Sequence, residues 1–127
     1  MKLNPECMRD ILLSMEDVEY QKSLPVEQLY SSLTDYSQDE INYSVLKLEE
    51  AGFIDATLIP YDGGILVIEI NDITYRGHEF LADIRSDSIW QNVKSISAKV
   101  GSKSLNSLWQ IATTVITQII KAELGII

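Results

Sequence analysis

The side chains able to do chemistry in this chain are few and scattered. One histidine, His78, lies between Gly77 and Glu79, and one cysteine, Cys7, lies near the start. An imidazole titrates near neutrality and could act as a general base, but no Ser or Cys stands at a spacing that would make it a nucleophilic partner. One Cys and one His are too few soft ligands for a structural zinc site, and no calcium-loop pattern occurs. No metal or cofactor is therefore expected, and His78 is expected to belong to the packing surface of its helix. The acid pairs Asp39-Glu40 and Glu49-Glu50 lack the enclosure that separates the pKa values of a catalytic pair and read as a solvated face. What remains is a group suited to binding. Asn42, Tyr43 and Lys47 lie close together in sequence and have side chains able to meet bases or phosphates. The expected class is a non-enzymatic binding protein.

These residues must be positioned by local structure, and the signals for it are strong. Asn4-Pro5-Glu6 is a helix start: an N-cap, a proline in the tolerated first position and an acid facing the positive end of the dipole. Met8, Ile11, Leu12, Met15 and Val18 follow at helical spacing, and a polar connector, "EDVEYQKS", comes next. Pro25 opens a second helix with Val26, Leu29, Tyr30 and Leu33 on one side. After the short "TDYS", Ser37 and Glu40 form a capping box for a third helix whose stripe is Ile41, Val45 and Leu48. Gly52 ends it in a left-handed cap, with Phe53 placed for the accompanying apolar contact.

Two alternating runs follow, Ile54, Ala56, Leu58 and then Leu66, Ile68, Ile70, joined by "YDGG". Asp62-Gly63 and Gly63-Gly64 are hairpin signals because such a turn needs positive φ at its central positions. The next stretch, "DITYRGHEFLADI", opens a fourth helix at once. Thr74 is its cap, and Gly77 is expected to let its backbone approach the sheet closely. A fifth helix carries Ile89, Trp90, Val93, Ile96 and Val100 up to Gly101. A sixth places Leu105, Leu108, Ala112, Val115 and Ile119 at steps of three and four, flanked by Trp109, Ile116 and Ile120. Three helices followed by a hairpin predict an α+β fold, a winged helix-turn-helix with two additional helices. The predicted division is a winged-helix domain over residues 1–86 and a helical extension over 87–127.

At 127 residues the chain has room for one domain and an appendage. A lone cysteine and the absence of an apolar leader pattern make the cytoplasm the expected compartment. The formal charge is −9 and uneven: residues 1–90 hold six Lys and Arg against eighteen acids, whereas residues 91–127 hold four lysines against Glu123 alone. An acidic body suggests partners other than bare phosphate backbone.

Several blocks together resemble a known family. "MKLNPECMRDILLSME", "INYSVLKLEEAGFIDA", "ITYRGHEFLADIRSDSIW" and "SAKVGSKSLNSLWQIATTVI" are similar to the domain-of-unknown-function family numbered 2513, found in phages, prophages and Gram-positive bacteria. The resemblance runs over nearly the whole chain, and "ITYRGHEFLADIR" is its most specific block. It implies a winged-helix-like fold and a mobile-element setting, and it carries no catalytic residue onto this chain.

Two binding roles follow as expectations. The leading one is a regulatory DNA-binding module read through Asn42, Tyr43 and Lys47. Against it, the third helix sets one lysine among Asp39, Glu40, Glu49 and Glu50, and the wing tip has no base, whereas affinity for DNA draws on several Lys or Arg near phosphates. The alternative is an acidic protein-interaction module that contacts a host factor or imitates nucleic acid. In the last helix, residues 104–120 carry no charge, yet eight of the seventeen are Ser, Asn, Gln or Thr, too polar for a membrane span. Its broad apolar face instead predicts a homodimer joined through Leu105, Leu108, Trp109, Ala112, Val115, Ile116 and Ile119.

Overall fold

The computed structural model describes residues 1–126. Its element order is α1 (Pro5–Glu16), β1 (Leu24–Pro25), α2 (Val26–Ser32), α3 (Gln38–Glu50), β2 (Ile54–Tyr61), β3 (Gly64–Ile73), α4 (Tyr75–Ile84), α5 (Asp87–Val100) and α6 (Leu105–Glu123). The fold is α+β, with six helices and one antiparallel sheet in the order β1-β3-β2. The chain forms two compact units, Met1–His78 and Glu79–Ile127. The division falls inside α4.

In the first unit, the Asn4 side chain caps α1 by accepting from the Cys7 N–H at 3.3 Å, with Pro5 in the first turn. The stripe Met8, Ile11, Leu12 and Met15 is buried, and α1 packs on α3. The inward face of α3 is Ile41, Val45 and Leu48, as its spacing predicts, and it also buries Ser44.

The sheet departs from the sequence reading in two ways. First, a short strand lies where the expected connector meets the expected helix start: Leu24 pairs with Ile70, and Pro25 with Glu69. Proline can occupy this edge position because no ladder hydrogen bond is asked of it, and its extended backbone then leads directly into α2.

Second, the alternation in β3 is broken. The register slips between Asp55 and Ala56 and again between Thr57 and Leu58, each slip giving β3 one extra residue. A bulge of this kind turns the following side chains to the other face. The buried positions are consequently Val67, Ile70 and Ile73, three apart, and Leu66 is exposed although period-two reading places it inward. The hairpin closes through Tyr61 and Gly64, and the positive φ falls on Gly64 instead of on the central pair Asp62-Gly63.

In the second unit, α5 begins under a Ser86 cap and ends at Gly101, whose φ of 80° is the left-handed conformation expected of a helix-closing glycine. It packs on α6. Phe80, Leu81 and Ile84 of α4, with Trp90 and Val93 of α5, are buried. The Phe80 and Trp109 rings meet edge to face at 6.4 Å. Thr113 Oγ1 donates to Asp83 at 3.4 Å. Burial is the main reason the Asp83 carboxyl is pushed above its ordinary pKa. Among the described residues, no helix is long and apolar enough to cross a membrane.

Candidate binding surface on the third helix and the hairpin

The presentation of α3 is fixed at both ends. At its start, Ser37 Oγ accepts from the Glu40 N–H at 3.1 Å, while the Glu40 carboxylate accepts from the Ser37 N–H at 3.3 Å. Glu40 also accepts from Asn4 Nδ2 at 2.9 Å, so one carboxylate ties the caps of α1 and α3 together. These donors, Asn4 first, hold Glu40 below the usual carboxylate pKa.

At the other end, Gly52 adopts φ 81°, and the N–H groups of Gly52 and Phe53 return to the carbonyls of Glu49 and Leu48. This is the Schellman arrangement that satisfies the last carbonyls of a helix. The carbonyls of Ala51, Gly52 and Phe53 are taken by Thr74 and by Arg76 of α4. Thr74 donates its N–H to Phe53 O at 3.1 Å and its hydroxyl to Gly52 O, and Arg76 Nε donates to Ala51 O at 3.1 Å. The Arg76 guanidinium also lies 5.2 Å from the centre of the Phe53 ring.

Thr74 Oγ1 in turn accepts from the Gly77 N–H at 3.1 Å. A Cβ at Gly77 would fall 2.0 Å from Phe53 O and 2.7 Å from Ile73 Cγ2. Glycine is therefore required here by close backbone approach, which explains why "AGF" and "ITYRG" occur together in one chain.

The three residues expected to read nucleic acid all lie on this helix, and each has a partner within the chain. Asn42 is half-buried, and its side-chain oxygen accepts from the Tyr30 hydroxyl at 2.5 Å. Tyr43 is half-buried, with the Lys47 ammonium 5.3 Å from its ring centre. Lys47 pairs with Glu50 at 3.0 Å, and this hydrogen bond is the main cause of its raised pKa. The expectation that all three are exposed is corrected: Asn42, Tyr43 and Lys47 are half-buried. With Asp39, Glu40, Glu49 and Glu50 alongside, the face is acidic.

The hairpin supplies what the sequence reading missed. Ile59, Tyr61, Ile65 and Leu66 are each about half exposed. Ile59 and Leu66 are direct cross-strand partners, and Tyr61 shares their face two residues on. Tyr61 folds over the turn, where a Cβ at Gly63 would lie 2.6 Å from its ring. The tip is apolar, with Asp62 as its one charge. The position of the bulges, invisible to period-two reading, is what turns Leu66 outward.

The chemical candidates stay apart. His78 is exposed on α4, not part of a packing surface. Cys7 is buried, and burial raises its thiol pKa above the ordinary value, leaving it a poor nucleophile. The Tyr36 hydroxyl donates to Asp10 at 2.6 Å. Among the described residues, no group of three or more His, Cys, Asp or Glu is disposed to hold a metal ion. In the second unit, Leu105, Leu108, Ala112 and Val115 of the expected association seam are buried within the chain, Trp109 and Ile116 are half-buried, and Ile119 is exposed.

Comparison with known proteins gives a consistent picture. A family model described as "Hypothetical protein (DUF2513)" matches residues 2–103, stopping just before α6. A protein of Haemophilus influenzae, described as "Uncharacterized protein", is 31% identical over 122 residues, covering 94% of this chain and 99% of the relative. No solved structure matches the chain.

Proposed function

The chain belongs to the family described as "Hypothetical protein (DUF2513)", and from that premise we propose that it is a winged-helix binding module whose partner is a protein. The order helix, strand, helix, helix, hairpin, with β3 central between β1 and β2, supports the winged-helix reading. In that fold the third helix and the hairpin are the parts offered to a partner. A cytoplasmic, non-enzymatic role and a phage or prophage setting belong to the same proposal.

The observation that carries it is the engagement of Lys47. It is the sole cation on α3, and it is spent on Glu50 and the Tyr43 ring. With a single cation on α3, paired with Glu50, the counterion-release contribution that supplies most nonspecific DNA affinity is small on this helix. The wing meanwhile offers aromatic and aliphatic groups, the residue types that anchor protein interfaces, within an acidic surround. A basic protein surface carrying an apolar anchor is the complementary partner.

The test is site-specific photo-crosslinking in cells, with the reactive group placed at Leu66 on the wing and at Glu27 on α2. One discrete protein adduct is expected from Leu66 and not from Glu27. Adducts to nucleic acid, or equal adducts from both positions, would overturn the reading.

A further inference from the structure

The second unit carries a separate feature. Helix α6 has nineteen residues and α5 fourteen; at about 1.5 Å per residue, α6 is longer by roughly 7 Å. The four-residue connection between them makes them antiparallel neighbours, so the excess length lies at the far end of α6. Burial follows this geometry. The inward stripe Leu105, Leu108, Ala112, Val115 is covered, but its next member, Ile119, is 42% exposed, Ile120 is 50% exposed, and Leu124 and Ile126 beyond them are 67% and 55% exposed.

This end is ordered. Gly125 takes φ 71°, and the N–H groups of Gly125 and Ile126 return to Ala122 O at 3.2 Å and Lys121 O at 2.8 Å, a second Schellman closure. Four branched aliphatic side chains are thus held in water on a fixed framework, an arrangement that marks an interface.

We propose that this overhang joins two copies of the chain about a two-fold axis. Charge identifies the occupant. A two-fold contact sets each patch against itself. The first unit, with five Lys and Arg against fifteen acids, would meet its own repulsion. From Leu105 through Ile120 no residue is charged, and the overhang adds only Lys121 and Glu123, which cancel. An anionic bilayer is the poorer match, because interfacial helices line their polar face with Lys and Arg, and this one offers Thr113, Thr114, Thr117 and Gln118. The proposal concerns α6 alone and stands apart from the reading of the wing.

Sedimentation velocity tests it, with the wild type from about 1 to several hundred micromolar. A standard interface buries ~800 Å² per partner, and four aliphatic side chains make a smaller one. The expectation is a monomer at the dilute end that becomes a dimer across the upper part of that range. Ile119→Glu with Ile120→Glu should weaken dimerisation at least about tenfold, because each would bring carboxylates together in the interface. Both positions are open to water, so folding should survive; unchanged emission from Trp90 and Trp109 checks this. A wild type that stays monomeric throughout would overturn the proposal, as would a double variant that dimerises normally or association that continues past the dimer. Depletion of the wild type by anionic vesicles, without self-association in their absence, would assign the patch to lipid instead.

Discussion

The two units of this chain solve opposite surface problems. Met1–His78 carries a formal charge of −10, and four of its exposed apolar side chains, Ile59, Tyr61, Ile65 and Leu66, sit together on the hairpin; residues 79–127 carry five Lys and Arg against four acids, and four of their exposed apolar side chains, Ile119, Ile120, Leu124 and Ile126, lie at a helix end that is nearly neutral. Apolar exposure alone would not distinguish the two patches. Surrounding charge does, because an acidic rim selects a basic partner and a neutral one tolerates its own copy. The spectroscopy divides the same way. All six tyrosines fall in the first unit and both tryptophans in the second, so each can be followed separately.

The largest expected effect comes from the junction at the start of α4. Gly77→Ala places a methyl group 2.0 Å from the Phe53 carbonyl oxygen. That clash is with backbone, which must move, breaking the Thr74 bonds to the Gly52 and Phe53 carbonyls just past α3. A loss of about 3 kcal/mol or more is expected, at or above the usual cost of overpacking. It should appear in urea unfolding followed by tyrosine near-ultraviolet dichroism. A variant as stable as the wild type would mean that α3 is not clamped there, and the rigid presentation of the candidate surface would lose its basis.

A smaller effect separates the units by pH. Hydrogen bonds from Asn4 and Ser37 hold Glu40 below its ordinary pKa of 4.5, so the folded state favours its ionised form. That contribution is present above 4.5 and is lost as pH falls through the lowered value. Asp83 is raised above 3.8, chiefly by burial, so the folded state favours its neutral form. Its effect has the opposite sign: stability is gained as pH falls through the raised value, and the gain is complete below 3.8. Relative to Glu40→Gln, wild-type tyrosine melts should weaken on acidification. Relative to Asp83→Asn, wild-type tryptophan melts should strengthen. The same sign in both differences would contradict the assignment of these carboxyls to opposite environments.

Much of this was legible in the sequence because it is local. Asn4, the Ser37 and Glu40 box, Gly52 and Gly101 act within a turn of themselves, so residue type and spacing reveal them. Gly77 was also legible as a close approach, although the atom it avoids, Phe53 O, is distant in sequence. The remainder depends on tertiary pairing. The two-residue strand at Leu24 exists through its partner Ile70. Leu66 points outward because bulges shift its register. Asn42 resembles a free base-reading amide until Tyr30, twelve residues earlier, donates to it. The overhang at Ile119 follows from the relative lengths of two helices, which apolar spacing along one of them does not contain.

The most direct test of the account is the fluorescence anisotropy of a labelled duplex of about 30 base pairs, titrated with the wild type and with Lys47→Ala at several salt concentrations. Because the cation of α3 is already committed to Glu50 and the first unit is strongly acidic, no saturable binding at about 150 mM salt is expected, and the two proteins should give the same trace. Saturable binding by the wild type that weakens with salt and disappears in Lys47→Ala would show that α3 reads nucleic acid, and the account of a protein-binding surface would be wrong.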